Sequence, residues 1–253
     1  MNVSKSEIPN DLEFTKLRNS WRHEMAKSEQ LRKKAVELTI LSNNYSYGYQ
    51  WEWCGVPIIR HPDDIVLQQE IVWSLKPSHI IETGIARGGS LVLSSSLMNL
   101  YSEGGVVLGL DINILDHTVQ KLKPWVEKKQ ILMFECDSAS SSASSHIKRF
   151  LQDNVKPVLV VLDSNHTHEH VYNELNCISP LIPVGSVIIV ADTIIEEMPA
   201  DHYSNRPWGI GNNPLTAINK FLELNDNFQR DERWSRRSLM GEFREGIIIK
   251  NKI

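Results

Sequence analysis

The sequence predicts an α/β fold: a doubly wound sheet of five parallel strands, closed by a C-terminal antiparallel hairpin and preceded by a helical extension over residues 1–44. Three observations point there. Short, continuous Val/Ile/Leu runs alternate with helix-length segments from residue 79 to residue 192, the pattern of strands covered on both faces. The end of the chain departs from that alternation, because FQRDERWSRR and EFREGIIIK, joined by SLMG, read as two strands turning back on one another. No repeat or second core interrupts residues 45–253, which form the main domain.

Composition sets the outer limits. Apolar residues are 41% of the 253, with 13 Gly and 11 Pro, which excludes a disordered or collagen-like chain. No apolar run reaches the ~18 residues of a membrane span. The start, MNVSKSEIPNDLEF, lacks the apolar stretch of a secretory leader, so a soluble, cytoplasmic protein is expected. Cys54, Cys136 and Cys177 are too few and too scattered for a disulfide framework or a zinc knuckle. With 27 basic and 31 acidic residues the net charge is −4, and no electrostatic footprint for nucleic acid results.

Residues 11–41 read as one amphipathic helix, with Leu12, Phe14, Leu17, Trp21 and Met25 near helical spacing and Leu31, Ala35 and Leu38 extending the stripe. Such a helix either covers the core or joins a second subunit, and a homo-oligomer assembled through it is expected. Next, Tyr45, Tyr47, Tyr49, Trp51 and Trp53 alternate, which places all five on one face of an extended segment. That face is either a core edge or a surface on which a ring stacks. A helix from Asp64 to Leu75 stops at Lys76-Pro77.

The strand–helix units follow in order. SHIIETGIA leads into the helix GSLVLSSSLMNLY, and GGVVLGLDIN, ending in Asp111, into a helix over 116–128. QILMFECDS ends in Asp137 before a helix over 142–153, and PVLVVLDSN ends in Asp163 before one over 168–181. GSVIIVADT is the fifth strand and ends in Asp192. Asn213-Pro214 supplies an N-cap and a first-turn proline for a last helix to Leu224.

In an open α/β sheet the ligand lies beyond the carboxyl ends of the strands. Four successive strands here end in Asp, and the first carries Glu82-Thr83-Gly84. Asp often caps the following helix, but four in a row gather acids around one crevice. The first turn, ETGIARGGS, departs from the dinucleotide fingerprint G-x-G-x-x-G, and Asp111 lies 27 residues past Gly84 rather than about 20. Acid-x-Gly-x-x-x-Gly-x-Ser fits an S-adenosylmethionine loop better, with Gly84, Arg87, Gly88 and Ser90 along it. Asp111 would then accept the ribose hydroxyls, and Asp137 and Ser138 would flank the adenine.

Asp163 and Asp192 end neighbouring strands, so their carboxylates can share a hard cation such as Mg²⁺. Thr193, Glu196 and Glu197 follow closely as further donors. Zinc is disfavoured, with no Cys nearby and no helical His pair. In DSNHTHEH, His166 lies over the crevice and suits a general base, whereas His168 and His170 cap a helix, with His168 also a substrate-side candidate. Tyr49, Trp51, Arg206 and Trp208 complete the expected substrate side, Arg206 facing a phosphate or carboxylate.

IIETGIARGGSL, VLGLDIN, VLDSNHTHEHV, GSVIIVADTIIE and RPWGIGNNP, taken in order, resemble the cephalosporin hydroxylase-type family from about Tyr45 to the C-terminus. The resemblance implies a Rossmann-like methyltransferase sheet and an O-methyltransferase that uses S-adenosylmethionine and Mg²⁺ or another divalent cation. It implies Asp163 and Asp192 as metal ligands and His166 as base. Glu82, Gly84, Ser90, Asp111, Asp137 and Ser138 become cofactor contacts, with Asp163 nearby. The acceptor implied is a sugar, or a glycosylated or nucleotide-linked sugar, of bacterial surface-polysaccharide or natural-product biosynthesis. One departure stands out: sugar enzymes of this kind carry Glu-Asp at the fifth strand's end, where this chain has Ala191-Asp192. Two other classes compete, an iron oxidoreductase and a cofactor-binding scaffold without catalysis.

Overall fold

A computed structural model describes residues 10–102 and 105–252. Most of the segment read for a leader lies outside them. The chain opens with α1 (Asp11–Lys27) and α2 (Glu29–Asn43), followed by a small antiparallel pair, β1 (Trp51–Trp53) and β2 (Val56–Ile58), and then α3 (Pro62–Leu75). The body continues β3 (Ile80–Thr83), α4 (Gly89–Met98), β4 (Val107–Asp111), α5 (Asp116–Glu127), β5 (Ile131–Glu135) and α6 (Ser141–Leu151). It closes with β6 (Leu159–Leu162), α7 (His168–Ile178), β7 (Val187–Val190), α8 (Pro214–Leu224), β8 (Phe228–Arg230) and β9 (Ile247–Lys250).

Among the described residues the main sheet runs β5-β4-β3-β6-β7-β9-β8, with β3 to β7 parallel and the β9–β8 pair antiparallel. Adjacent residues of each strand face opposite layers: Ile80 packs with Leu67, Leu91 and Leu122 of α3, α4 and α5, and Ile81 with Ile147, Leu175 and Phe221 of α6, α7 and α8. Both faces are therefore dry, which is why these strands read as unbroken apolar runs. Strand order reverses between β3 and β6, which opens a crevice at their carboxyl ends. No helix among the described residues is long and apolar enough to cross a membrane.

Three expectations are corrected. The N-terminal helix is broken at Ser28, whose hydroxyl accepts from Leu31 N–H and restarts the helix as α2. The aromatic tract is not one extended face. Ser46 is left-handed, residues 47–49 form a 3-10 turn, and only Trp51 and Trp53 lie in a strand. The terminal hairpin has short strands, because residues 231–246 leave the sheet and return across α3, where Asp63 Oδ2 accepts from Leu239 and Met240 N–H at 2.9 and 3.1 Å.

A candidate active-site cavity

The crevice is a cavity of about 390 Å³ walled by the turn after β3, the ends of β6 and β7, and three further segments: 43–61, 203–208 and the approach to β9. Gly84 sits at the strand-order reversal with φ +85°, and a Cβ there would lie 1.9 Å from Asp163 O. Only glycine allows the two strand ends to close up in this way. Gly88 is also left-handed and packs on Leu122, and Gly89 packs on Pro57 O. The loop thus presents backbone and the helix start of α4 to the cavity. Ser90 joins the wall with an Oγ that is buried and, among the described residues, unpartnered.

Asp163 follows β6, Asp192 follows β7, and His166 lies in the turn before α7. One ligand atom from each falls within 4.8 Å of the others. His166 Nδ1 is 3.3 Å from Asp192 Oδ2, and its ring meets Trp208 edge-on at 4.7 Å. Asp192 adopts a left-handed backbone, φ +58°, an uncommon conformation that Asp tolerates better than most residues. Burial, and after the opposing pull of Arg60 the charge of Asp192, pushes the Asp163 carboxyl up to about 6.

Two charged residues that sequence reasoning missed shape this wall. Arg60 is buried and donates from Nη2 to Asp163 Oδ2 at 3.0 Å and from Nη1 to Gln68 Oε1. Gln68 donates to Ser94 Oγ at 2.9 Å, and Ser94 to Glu82, so a buried relay links Glu82 to Asp163. Glu242 lies on the cavity wall just before β9 and is driven well above the usual carboxylate range by burial and by Asp192. The tract IIRHPDD contains Arg60 between an apolar strand and a helix start, and a charge in that position was the available signal.

Of the expected residues, Gly84, Arg87, Gly88, Ser90, Asp163, His166, Asp192, Tyr49, Arg206 and Trp208 line the cavity. The others lie off that wall. Glu82 is buried against Ser94. Asp111 holds the glycine loop, its Oδ2 accepting from Ile85 and Ala86 N–H at 2.7 and 3.2 Å. Asp137 is an exposed turn residue accepting from Ala139 N–H, and Ser138 is buried beside His170 and Ser164. Thr193 turns its N–H and hydroxyl onto Glu242 O at 3.0 and 2.9 Å. Glu196 binds Gly211 N–H and Asn213, and Glu197 pairs with Arg32 and Arg244, so neither joins the carboxylates. Trp51 packs on the core edge, and His168 Nδ1 meets Thr216 Oγ1 at 2.8 Å, away from the cavity.

Comparison with known proteins bears on this arrangement. The family model described as rhamnosyl O-methyltransferase/CmcI matches residues 44–251. The chain belongs to that family. A rhamnosyl O-methyltransferase of Mycobacterium leprae is 28% identical over 58% of this chain, a match that spans 62% of that protein, less than two thirds of its length. Its counterpart in Mycobacterium bovis is 25% identical over 79% of this chain and 78% of its own length. A solved structure of CmcI with Mg and SAM has a TM-score of 0.57 at 18% identity, covering 80% of this chain and 77% of that one, and shows that the fold is shared.

Proposed function

We propose that this member of the rhamnosyl O-methyltransferase/CmcI family transfers the methyl group of S-adenosylmethionine to a sugar hydroxyl, with Mg²⁺ or a similar cation between Asp163 and Asp192. The observation that carries the reading is one cavity walled by both a glycine-rich loop and a cluster of Asp163, His166 and Asp192 ligand atoms within 4.8 Å of each other. The names of the curated relatives and the Mg and SAM of the CmcI structure support it.

The residues fit both groups. The loop N–H groups at the start of α4 and the unpartnered Ser90 Oγ suit the polar end of the methyl donor. Carboxylate oxygens with an open side suit Mg²⁺, and burial beside Asp192 leaves Asp163 in need of a positive neighbour besides Arg60. A cation held by Asp163 and Asp192 would supply Lewis acidity, lowering the pKa of the acceptor hydroxyl. His166, with Nδ1 3.3 Å from Asp192 Oδ2, is placed to take the proton of the acceptor hydroxyl at Nε2. Trp208 fixes the other face of the imidazole, and Tyr49 and Tyr203 enclose the acceptor side. Positioning of the two substrates supplies much of the rate. Arg206, stacked on Trp208 at 5.4 Å, suits the phosphate of a nucleotide-linked sugar. The reading extends to a cytoplasmic enzyme of surface-polysaccharide or natural-product synthesis.

Label transfer from methyl-labelled S-adenosylmethionine to rhamnosyl glycosides tests this. Label on the sugar, lost with a chelator and restored by Mg²⁺, is expected; failure to bind S-adenosylmethionine contradicts it. Ala191 favours one second reading, a scaffold, which cofactor binding without any transfer would select.

A further inference from the structure

Resting on the cation reading above, we infer that Glu242 supplies the third carboxylate of the cation site, in place of a ligand at position 191. Ala191 is buried and has no donor atom. Glu242 lines the same cavity as Asp163, Asp192 and His166, beside the cluster that those three form, and among the described residues its carboxylate makes no hydrogen bond or ion pair. Its backbone, by contrast, is held tightly. Its N–H donates to Asp64 Oδ2 at 2.6 Å, and its carbonyl accepts from Thr193, the residue after Asp192. Gly241 leaves no room for adjustment, since a Cβ there would lie 2.1 Å from Asp64 Oδ1. An approach this constrained brings a free carboxylate to the cavity for a reason other than packing.

Donor chemistry supports the assignment. Asp163, Asp192 and Glu242 bring three carboxyl groups to the cavity wall, and of these only Asp163 is paired with an arginine, Arg60. Hard carboxylate oxygens gathered in this way suit a divalent cation. A second buried group points the same way: His61 is 2% exposed, lines the cavity and leaves Nδ1 unpartnered.

Calorimetric titration of the full chain with Mn²⁺, for wild type, Asp192→Asn, Glu242→Gln and Glu242→Asp, tests the inference, with metal-free melting curves alongside. Asp192→Asn should lose binding, and Glu242→Gln should bind Mn²⁺ about 10- to 100-fold more weakly. Glu242→Asp, which keeps the charge on a shorter reach, should fall between Glu242→Gln and wild type. Without metal, Glu242→Gln should melt no lower than wild type, which separates a lost ligand from a lost fold. Wild-type affinity in both Glu242 variants, with binding lost in Asp192→Asn, overturns the role of Glu242 and leaves the cation site standing. No Mn²⁺ binding by wild type overturns the cation reading and the inference with it.

Discussion

Arg60 has the most demanding surroundings of any side chain in the site. It is 2% exposed, stacks over Phe243 at 4.9 Å, and ties Asp163 to the relay that ends at Glu82. Removing one partner from a buried charge network costs roughly 3–5 kcal/mol. Arg60→Met is expected to lose about that much in urea denaturation, and a loss below about 1 kcal/mol would show that the relay does not depend on its charge. His166→Ala is expected to slow turnover by about 10²- to 10⁴-fold while calorimetry finds cofactor affinity unchanged. A rate near wild type would remove His166 as the base. Asp163, Asp192 and His166 were legible because each follows a recognisable strand at its carboxyl end. Arg60 and Glu242 were not, since their positions are set by partners 103 and 178 residues away.

Among the elements, α3 does more than cover the sheet. Its first turn supplies Asp63 and Asp64, which grip residues 239–242 and thereby carry Glu242 to the cavity. Burial pushes the Asp64 carboxyl up to about 7, against about 4 in the unfolded chain, so the folded state holds its proton longer. Ionisation then costs the folded state, and stability falls as pH rises from about 4 to about 7. Asp64→Asn removes that titration. Its melting temperature should fall less than that of wild type between about pH 5 and about pH 8, and equal falls would contradict the argument. The turn after β3 makes a sterically sharper case. Gly84→Ala, with its Cβ driven onto Asp163 O, should cost more than about 2 kcal/mol and abolish cofactor binding. The N-terminal helices differ between themselves. α2 is fastened by Arg32 to Glu197 at 2.8 Å, whereas α1 buries nothing and exposes Leu12, Phe14, Leu17 and Trp21. If that face joins copies of the chain, Leu17→Ser with Trp21→Ser should shift the species in size-exclusion chromatography to a smaller one. The break between α1 and α2 escaped the periodicity because the apolar stripe runs on past Ser28, although Ser before Glu29 was a capping signal.

At the scale of the molecule, the sheet was readable and its margins were not. Unbroken apolar runs announce a covered parallel sheet whatever their order, and right-handed crossovers restrict that order to few choices. The alternation of aromatics in residues 43–61 misleads, residues 231–246 carry no period, and nothing local tells that both fold back to one cavity. The net charge of −4 is equally silent, since what matters is where the acids meet. The central claim is that methyl donor and cation share the cavity at the ends of β3, β6 and β7. Diffraction from crystals grown with Mn²⁺ and S-adenosylhomocysteine tests it most directly. The account predicts an anomalous peak roughly 2.0–2.3 Å from carboxylate oxygens of both Asp163 and Asp192, with the nucleoside against Gly84 to Ser90. A peak away from these carboxylates, or a nucleoside outside the glycine loop, would contradict it.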